Sequence, residues 1–205
     1  MFHLGATARA ALRAPPPRAL PTLVLDLDET LLHRPGGALD WLALYAWRTA
    51  AVGVPYAHAL TSLHALSSAY NLVAVTARFA LAEANTARWL AAQGLPHLPV
   101  LYAAGVHAGD GSRGAFKASA IEHLRTAGWA PAAGVGDRPS DLQAYASAGL
   151  LACMVVHAEG SAGGSAGGSA ARRLVEERAR HPGARVRFFS DCAPARAALG
   201  LGGSE

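Results

Sequence analysis

Asp26 and Asp28 stand one residue apart at the end of an apolar run, TLVLDLDET from Thr22 to Thr30. Two like charges where a buried strand ends repel each other and lose hydration, unless a cation or a reaction uses them. A second acidic pair, Asp137 and Asp141, follows the short apolar run AAGVG in GDRPSD. Thr76 ends a third run, NLVAVT, Arg78 follows it, and Lys117 opens a helical stretch ahead of the second acidic pair. Lys117 is the only lysine beside seventeen arginines. An arginine-favouring composition that keeps one lysine points to a place where a compact ammonium is wanted.

Residues so far apart in sequence need a scaffold that brings strand ends together. Apolar runs alternate here with helical spacing. PTLVLDL, NLVAVT, LPVLYA, AAGVG, LLACMVV and RVRFFS are expected strands. Helices are expected over 39–52, 58–70, 81–93, 116–126, 140–147 (capped by Ser140) and 171–180, with a short one at the end. This alternation predicts an α/β fold, a Rossmann-like three-layer α/β/α arrangement with a mostly parallel sheet. In such sheets ligands collect at the carboxyl ends of the strands, near the topological switch point. Asp26, Asp28, Thr76, Arg78, Asp137 and Asp141 all fall there.

Four motifs in this order resemble those of the haloacid dehalogenase-like superfamily: DLDET, VAVTAR, FKASAIEHL and GDRPSDLQAY. The resemblance spans about Thr22 to Val156. It implies a Mg²⁺-dependent phosphatase that hydrolyses a phosphomonoester through an aspartyl-phosphate on Asp26. Asp28 would then be general acid and base, Thr76 would bond a phosphoryl oxygen, and Lys117 would offset the charge of phosphate and nucleophile. Arg78, beside Thr76, is a candidate substrate-binding residue or, equally, a surface pairing partner. Asp26, Asp137, Asp141 and the backbone carbonyl of Asp28 would hold Mg²⁺. Dehalogenases of the superfamily lack the second aspartate, so Asp28 favours phosphoryl chemistry. The stretch from VTAR through GLPHLPV to GDRPSDLQAYASAGL also resembles the catalytic domain of lipin-type phosphatidate phosphatases. That group usually has Gly where this chain has Glu29, and Asn where it has Asp137. The rival readings are a non-catalytic phosphate- or phosphatidate-binding module and a phosphotransferase.

At 205 residues and 52% hydrophobic content, the chain suits one globular domain, expected over 21–200. GSAGGSAGGSA, within 160–170, is expected as a low-complexity loop. Residues 1–20 are expected as an arm, either loose or disordered, or a short targeting segment, because they carry three arginines and no acid. The net charge of +4 sits at the ends: ten acids face eight bases between Asp26 and Gly160, and six arginines face two glutamates from Arg172 to Arg187. Nucleic acid is therefore disfavoured as a partner, and the basic tail is expected to be a solvated helix face. Two cysteines without a metal-binding spacing imply a reducing compartment, cytoplasmic or organellar, and no run suits a membrane span. Spacing between the motifs leaves room for a small cap or none. An open site suits a macromolecular or lipid phosphate substrate, or an oligomer partner that covers it. Trp41, Leu44, Tyr45 and Arg48 share one helical face, as a lid or, more simply, as packing on the sheet. His33 is a candidate substrate contact, Arg138 a candidate phosphate guide, and His107 and Asp110 are weaker candidates. The Gly-rich AAGVHAGDGSRGAF before Lys117 is expected to be a flexible connection.

Overall fold

The structure is a computed structural model that describes residues 2–13, 16, 19–33, 53–56, 59–105, 107, 109–156 and 167–189. Among these, strands alternate with helices as the periodicity predicts. The order is β1 (Phe2–Leu4), α1 (Ala6–Ala11), β2 (Thr22–Leu25), β3 (Leu32–His33), β4 (Val54–Pro55), α2 (Ala59–Leu66) and β5 (Asn71–Phe79). A 3₁₀ turn (Ala80–Ala82) then leads into α3 (Glu83–Ala92), β6 (Val100–Ala103), α4 (Gly109–Thr126), β7 (Pro131–Gly136), α5 (Pro139–Ser147), β8 (Leu151–Val155), α6 (Gly167–Arg180) and β9 (Val186–Phe189).

Seven strands form one sheet in the order β1-β6-β5-β2-β7-β8-β9, parallel throughout except for β1. Successive strand residues face opposite sides. Leu23 and Leu25 of β2 accordingly join the core under α2 and α3, while Val24 joins the core under α4 and α5. Each such buried leucine or valine contributes about 1.5–3 kcal/mol relative to exposure. Chain order moves outward from β2 to β5 and β6, then returns to β7 on the other side. The switch point therefore lies between β2 and β7. A two-stranded ribbon of β3 and β4 stands apart from the sheet.

Several boundaries differ from expectation. Residues 2–11 are built into the fold: β1 pairs antiparallel with β6, and Ala8 is fully buried. Glu83 holds this segment, accepting hydrogen bonds from the Ala6 N–H and, at 3.2 Å, His3 Nε2. A three-residue strand and a six-residue helix carry too little periodicity to be recognised, and their anchor lies far along the chain. The connection before Lys117 is not loose either. From Gly109 onward it is already the first turns of α4, with Gly114 closely packed against the Gln143 side chain. Helix α6 likewise begins inside the Gly/Ser/Ala repeat, at Gly167; the earlier part of the repeat, 160–166, lies outside the described residues. So do the expected helix at 39–52 with Trp41, Leu44, Tyr45 and Arg48, the terminal helix and Cys192. Cys153 is fully buried, and burial pushes its thiol up to about 11, as suits an inert core residue. No described helix is long and apolar enough to cross a membrane.

Candidate active site

Parallel pairing sets Leu25 of β2 beside Ala74 of β5 and Val135 of β7. The chain continues past each of these strand ends to one rim. Asp26 follows directly, its N–H donating to Val135 O at 2.9 Å. Asp26, Asp137 and Asp141 each bring a carboxylate oxygen, and the three lie within 4.8 Å of one another. Lys117, from α4, reaches in from the side. Its Nζ lies 2.9 Å from Asp26 Oδ1 and also donates to Asp141 Oδ1.

Further bonds set the orientation of these carboxylates. Asp141 Oδ2 accepts the Arg138 N–H at 3.0 Å, and Thr30 Oγ1 donates to Asp137 Oδ1 at 3.0 Å. The first of these bonds caps α5, so Asp141 does the work expected of Ser140. An acidic residue three places into a helix can reach back to the free amide at its start, whereas Ser140 is inside the first turn. Ser140 Oγ is buried and has no hydrogen-bond partner among the described residues.

Charge crowding shows in the titration of these groups. Burial, opposed by Lys117 and reinforced by Asp141, raises the Asp26 carboxyl from 3.8 to about 6. Burial followed by Asp141 and Asp26 raises Asp137 well above its ordinary value. Burial works against the Lys117 ammonium, but Asp141 and Asp26 outweigh it and raise its pKa. One lysine therefore faces three carboxylates in an oxygen-only cluster. That donor set and its unbalanced charge fit a hard divalent cation such as Mg²⁺.

Asp26, Asp28, Thr76, Arg78 and Lys117 line a single cavity of about 210 Å³, with Phe79, His107, Arg113, Arg138 and Ser140 among the remaining walls. Asp137 and Asp141 are not part of its lining. Arg78, on the wall of this cavity, pairs side-on with Asp28, at 2.8 Å from Nε to Oδ2 and 2.6 Å from Nη2 to Oδ1. His33 meets Glu29 at 3.3 Å, and Tyr56 donates to the same carboxylate at 2.6 Å. Glu29 itself has φ +59°, a left-handed conformation that favours glycine. The contacts with His33 and Tyr56 join the turn after Asp28 to β3 and to the residue after β4.

His107 is one of the weaker sequence candidates, and Arg113 is not among the candidates at all. His107 stacks on Phe116 with ring centroids 5.1 Å apart, and its Nε2 is buried without a hydrogen-bond partner among the described residues. Burial lowers its pKa, assisted by Arg113. Arg113 was visible only as one basic residue in a Gly-rich stretch, and helical structure from Gly109 is what turns it toward the cavity.

Gly136, the last residue of β7, meets the cluster from beneath. A Cβ there would lie 2.5 Å from both Asp141 Cβ and Cγ. Gly136→Ala is expected to push Asp141 out of place, destabilising the fold by roughly 1–3 kcal/mol and weakening whatever hold the carboxylate cluster has on a divalent cation such as Mg²⁺. Urea unfolding and calorimetric Mg²⁺ titration read the two effects; wild-type values in both would show that Asp141 has room to move.

No family model matches the chain, and no curated protein matches it. Solved structures do. A putative haloacid dehalogenase-like hydrolase from Burkholderia xenovorans LB400 is 15% identical with a TM-score of 0.54, covering 87% of this chain and 95% of its own. A putative beta-phosphoglucomutase from Thermotoga maritima is 15% identical with a TM-score of 0.51, covering 88% and 99%. An uncharacterized protein from Listeria monocytogenes serotype 4b is 17% identical with a TM-score of 0.54, covering 89% and 98%. At such identities the likeness is one of fold: the chain has the fold of haloacid dehalogenase-like hydrolases.

Proposed function

We propose that the protein is a phosphomonoester hydrolase that works through an aspartyl-phosphate on Asp26. The observation that carries this reading is the meeting of Asp26, Asp28, Thr76 and Lys117 in one cavity, with carboxylate oxygens of Asp137 and Asp141 within 4.8 Å of one of Asp26. Simple phosphate binding needs no carboxylate at the cavity floor, whereas an in-line displacement needs a nucleophile there and a proton carrier beside it.

In this reading the Asp26 carboxylate attacks phosphorus and Asp28 gives a proton to the departing oxygen. Asp28 then takes a proton from the water that cleaves the aspartyl-phosphate. Thr76 Oγ1 donates to a phosphoryl oxygen, and Lys117 holds Asp26 ionised and oriented for attack. Mg²⁺, held by Asp26, Asp137, Asp141 and the Asp28 backbone carbonyl, would supply the charge neutralisation that a phosphate dianion needs among carboxylates. The substrate class is a phosphomonoester, with macromolecular and lipid phosphates included in the proposal.

A screen of aryl, sugar, nucleotide and lipid phosphates, with Mg²⁺ and with a chelator, tests the reading. Turnover that vanishes on chelation supports it; no turnover, with Mg²⁺-dependent binding of a phosphate ligand retained, favours a binding module.

Metal binding also has a pH signature. The folded-state value of Asp26, about 6, lies above its ordinary 3.8. Without metal, the stability this group contributes is fully present below 3.8 and is lost as pH rises through about 6. A cation must displace the proton, so Mg²⁺ should bind more tightly and raise Tm more as pH passes from 5 to 7, on the order of one pH unit either side of that value. Thermal melts at several pH values, with and without Mg²⁺, check this. A Tm that ignores Mg²⁺ across that range would remove the metal from the reading.

A further inference from the structure

Arg78 carries its charge into the interior, with only 1% of its surface exposed. Its three guanidinium nitrogens all donate to named partners. Nε and Nη2 make the side-on pair with Asp28, at 2.8 and 2.6 Å, and Nη1 donates to Thr86 Oγ1 at 2.9 Å. Thr86, on α3, is fully buried and hydrogen-bonds in turn with the Tyr102 hydroxyl on β6.

The backbone explains why the side chain points inward. β5 pairs with β6 in register as far as Thr76 opposite Tyr102, and pairing resumes only at Phe79 opposite Ala103. Ala77 and Arg78 are thus extra residues on one strand. A bulge of this kind re-aims a side chain next to a site. Thr76 Oγ1 accepts the Arg78 N–H at 3.3 Å, which ties the bulge to the cavity wall.

We propose that Arg78 is a positioning residue: braced by Thr86 and Tyr102, it holds the Asp28 carboxyl toward the reacting oxygen. This rests on the phosphatase reading above. An aspartate without such a partner turns about two torsions, whereas a bidentate guanidinium contact sets the plane of the carboxyl group. In the first step a bond forms between Asp26 Oδ and phosphorus, the ester P–O bond breaks, and the leaving oxygen takes the proton of Asp28. In the second, the oxygen of water bonds to phosphorus and its proton goes to Asp28. The P–O bond to Asp26 then breaks and inorganic phosphate leaves. A misplaced Asp28 slows the first step only where the leaving oxygen needs a proton.

The test uses Thr86→Val, which keeps the shape of the brace and removes its hydroxyl. Two substrates are compared: an alkyl phosphate, whose leaving oxygen must be protonated, and p-nitrophenyl phosphate, whose phenolate departs without a proton. For the alkyl phosphate, kcat is expected to fall roughly tenfold or more, with KM changed by less than about twofold. The pre-steady-state burst of nitrophenolate should keep its wild-type rate. Tyr102→Phe, which removes one hydroxyl at the far end of the chain of bonds, should show a smaller loss in the same direction. Arg78→Lys, unable to form the bidentate fork, should lose more than Thr86→Val.

A raised KM with kcat retained in Arg78→Lys would make the guanidinium a phosphate ligand and overturn the proposal. So would equal losses in the nitrophenolate burst and the alkyl phosphate rate. Failure of the underlying reading looks different: wild type and Asp26→Asn would then be indistinguishable on both substrates, and the positioning role would fall with it.

Discussion

Asp26→Asn is expected to abolish turnover while the protein folds as the wild type does. The two halves of that result have separate causes. Asparagine has the shape of aspartate but cannot form an acyl phosphate, so the proposed reaction loses its nucleophile. Losses on removing such a group are large, on the order of 10³-fold or more in kcat. Stability behaves otherwise because the wild-type carboxyl is already costly to ionise, raised to about 6 by burial with a further push from Asp141. A neutral amide removes that repulsion and gives up one contact, Lys117 Nζ at 2.9 Å. Steady-state rates on the best substrate and a thermal melt measure both halves. Equal rates in the two proteins would end the assignment of Asp26 as nucleophile.

Lys117→Met is expected to have the largest effect on stability. Lys117 is 2% exposed and is the only described side-chain cation within ion-pair distance of Asp26 and Asp141. Methionine fills similar space without the charge, leaving carboxylates of a crowded cluster buried without that cation. Breaking a buried ion pair by removing one partner costs about 3–5 kcal/mol, more than the pair itself contributes. The loss should shrink when Mg²⁺ is added or when pH falls below about 5, since cation and protons relieve the same repulsion. Urea unfolding at two pH values, with and without Mg²⁺, checks the sign. A loss of the same size under all four conditions would mean that packing, not charge, is what Lys117 supplies.

Much of this site is legible in the amino-acid sequence, because each of its main residues follows a strand or opens a helix with recognisable periodicity. Asp26 and Asp28 close the apolar run of β2, Thr76 lies near the end of β5, and Asp137 directly follows β7. Parallel strands put such ends on one rim, so alternation of elements is enough to predict that the residues meet. The unusual chemistry of two aspartates one residue apart points the same way.

Other features depend on pairing between distant segments. Nothing near Arg78 marks a bulge; it exists because β5 has two more residues than β6 between two matched pairs. That slip is what turns the Arg78 side chain onto Asp28. Ser140 fits a local capping rule, yet the fold selects Asp141, since the same carboxylate must also meet Lys117. The N-terminal strand is too short to show a pattern and is held by Glu83, some eighty positions away.

Sequence alone therefore determined the α/β alternation, the strand order's need for a parallel sheet, and the set of carboxylates, hydroxyl and ammonium at its rim. These follow from short-range periodicity and residue type, which are local properties of the chain. Tertiary structure decided which group answers which carboxylate: Arg78 answers Asp28, Lys117 answers Asp26 and Asp141, and the Thr30 hydroxyl answers Asp137. Such pairings are set by strand register and by distances of a few ångströms between segments far apart in sequence, and no local rule contains them.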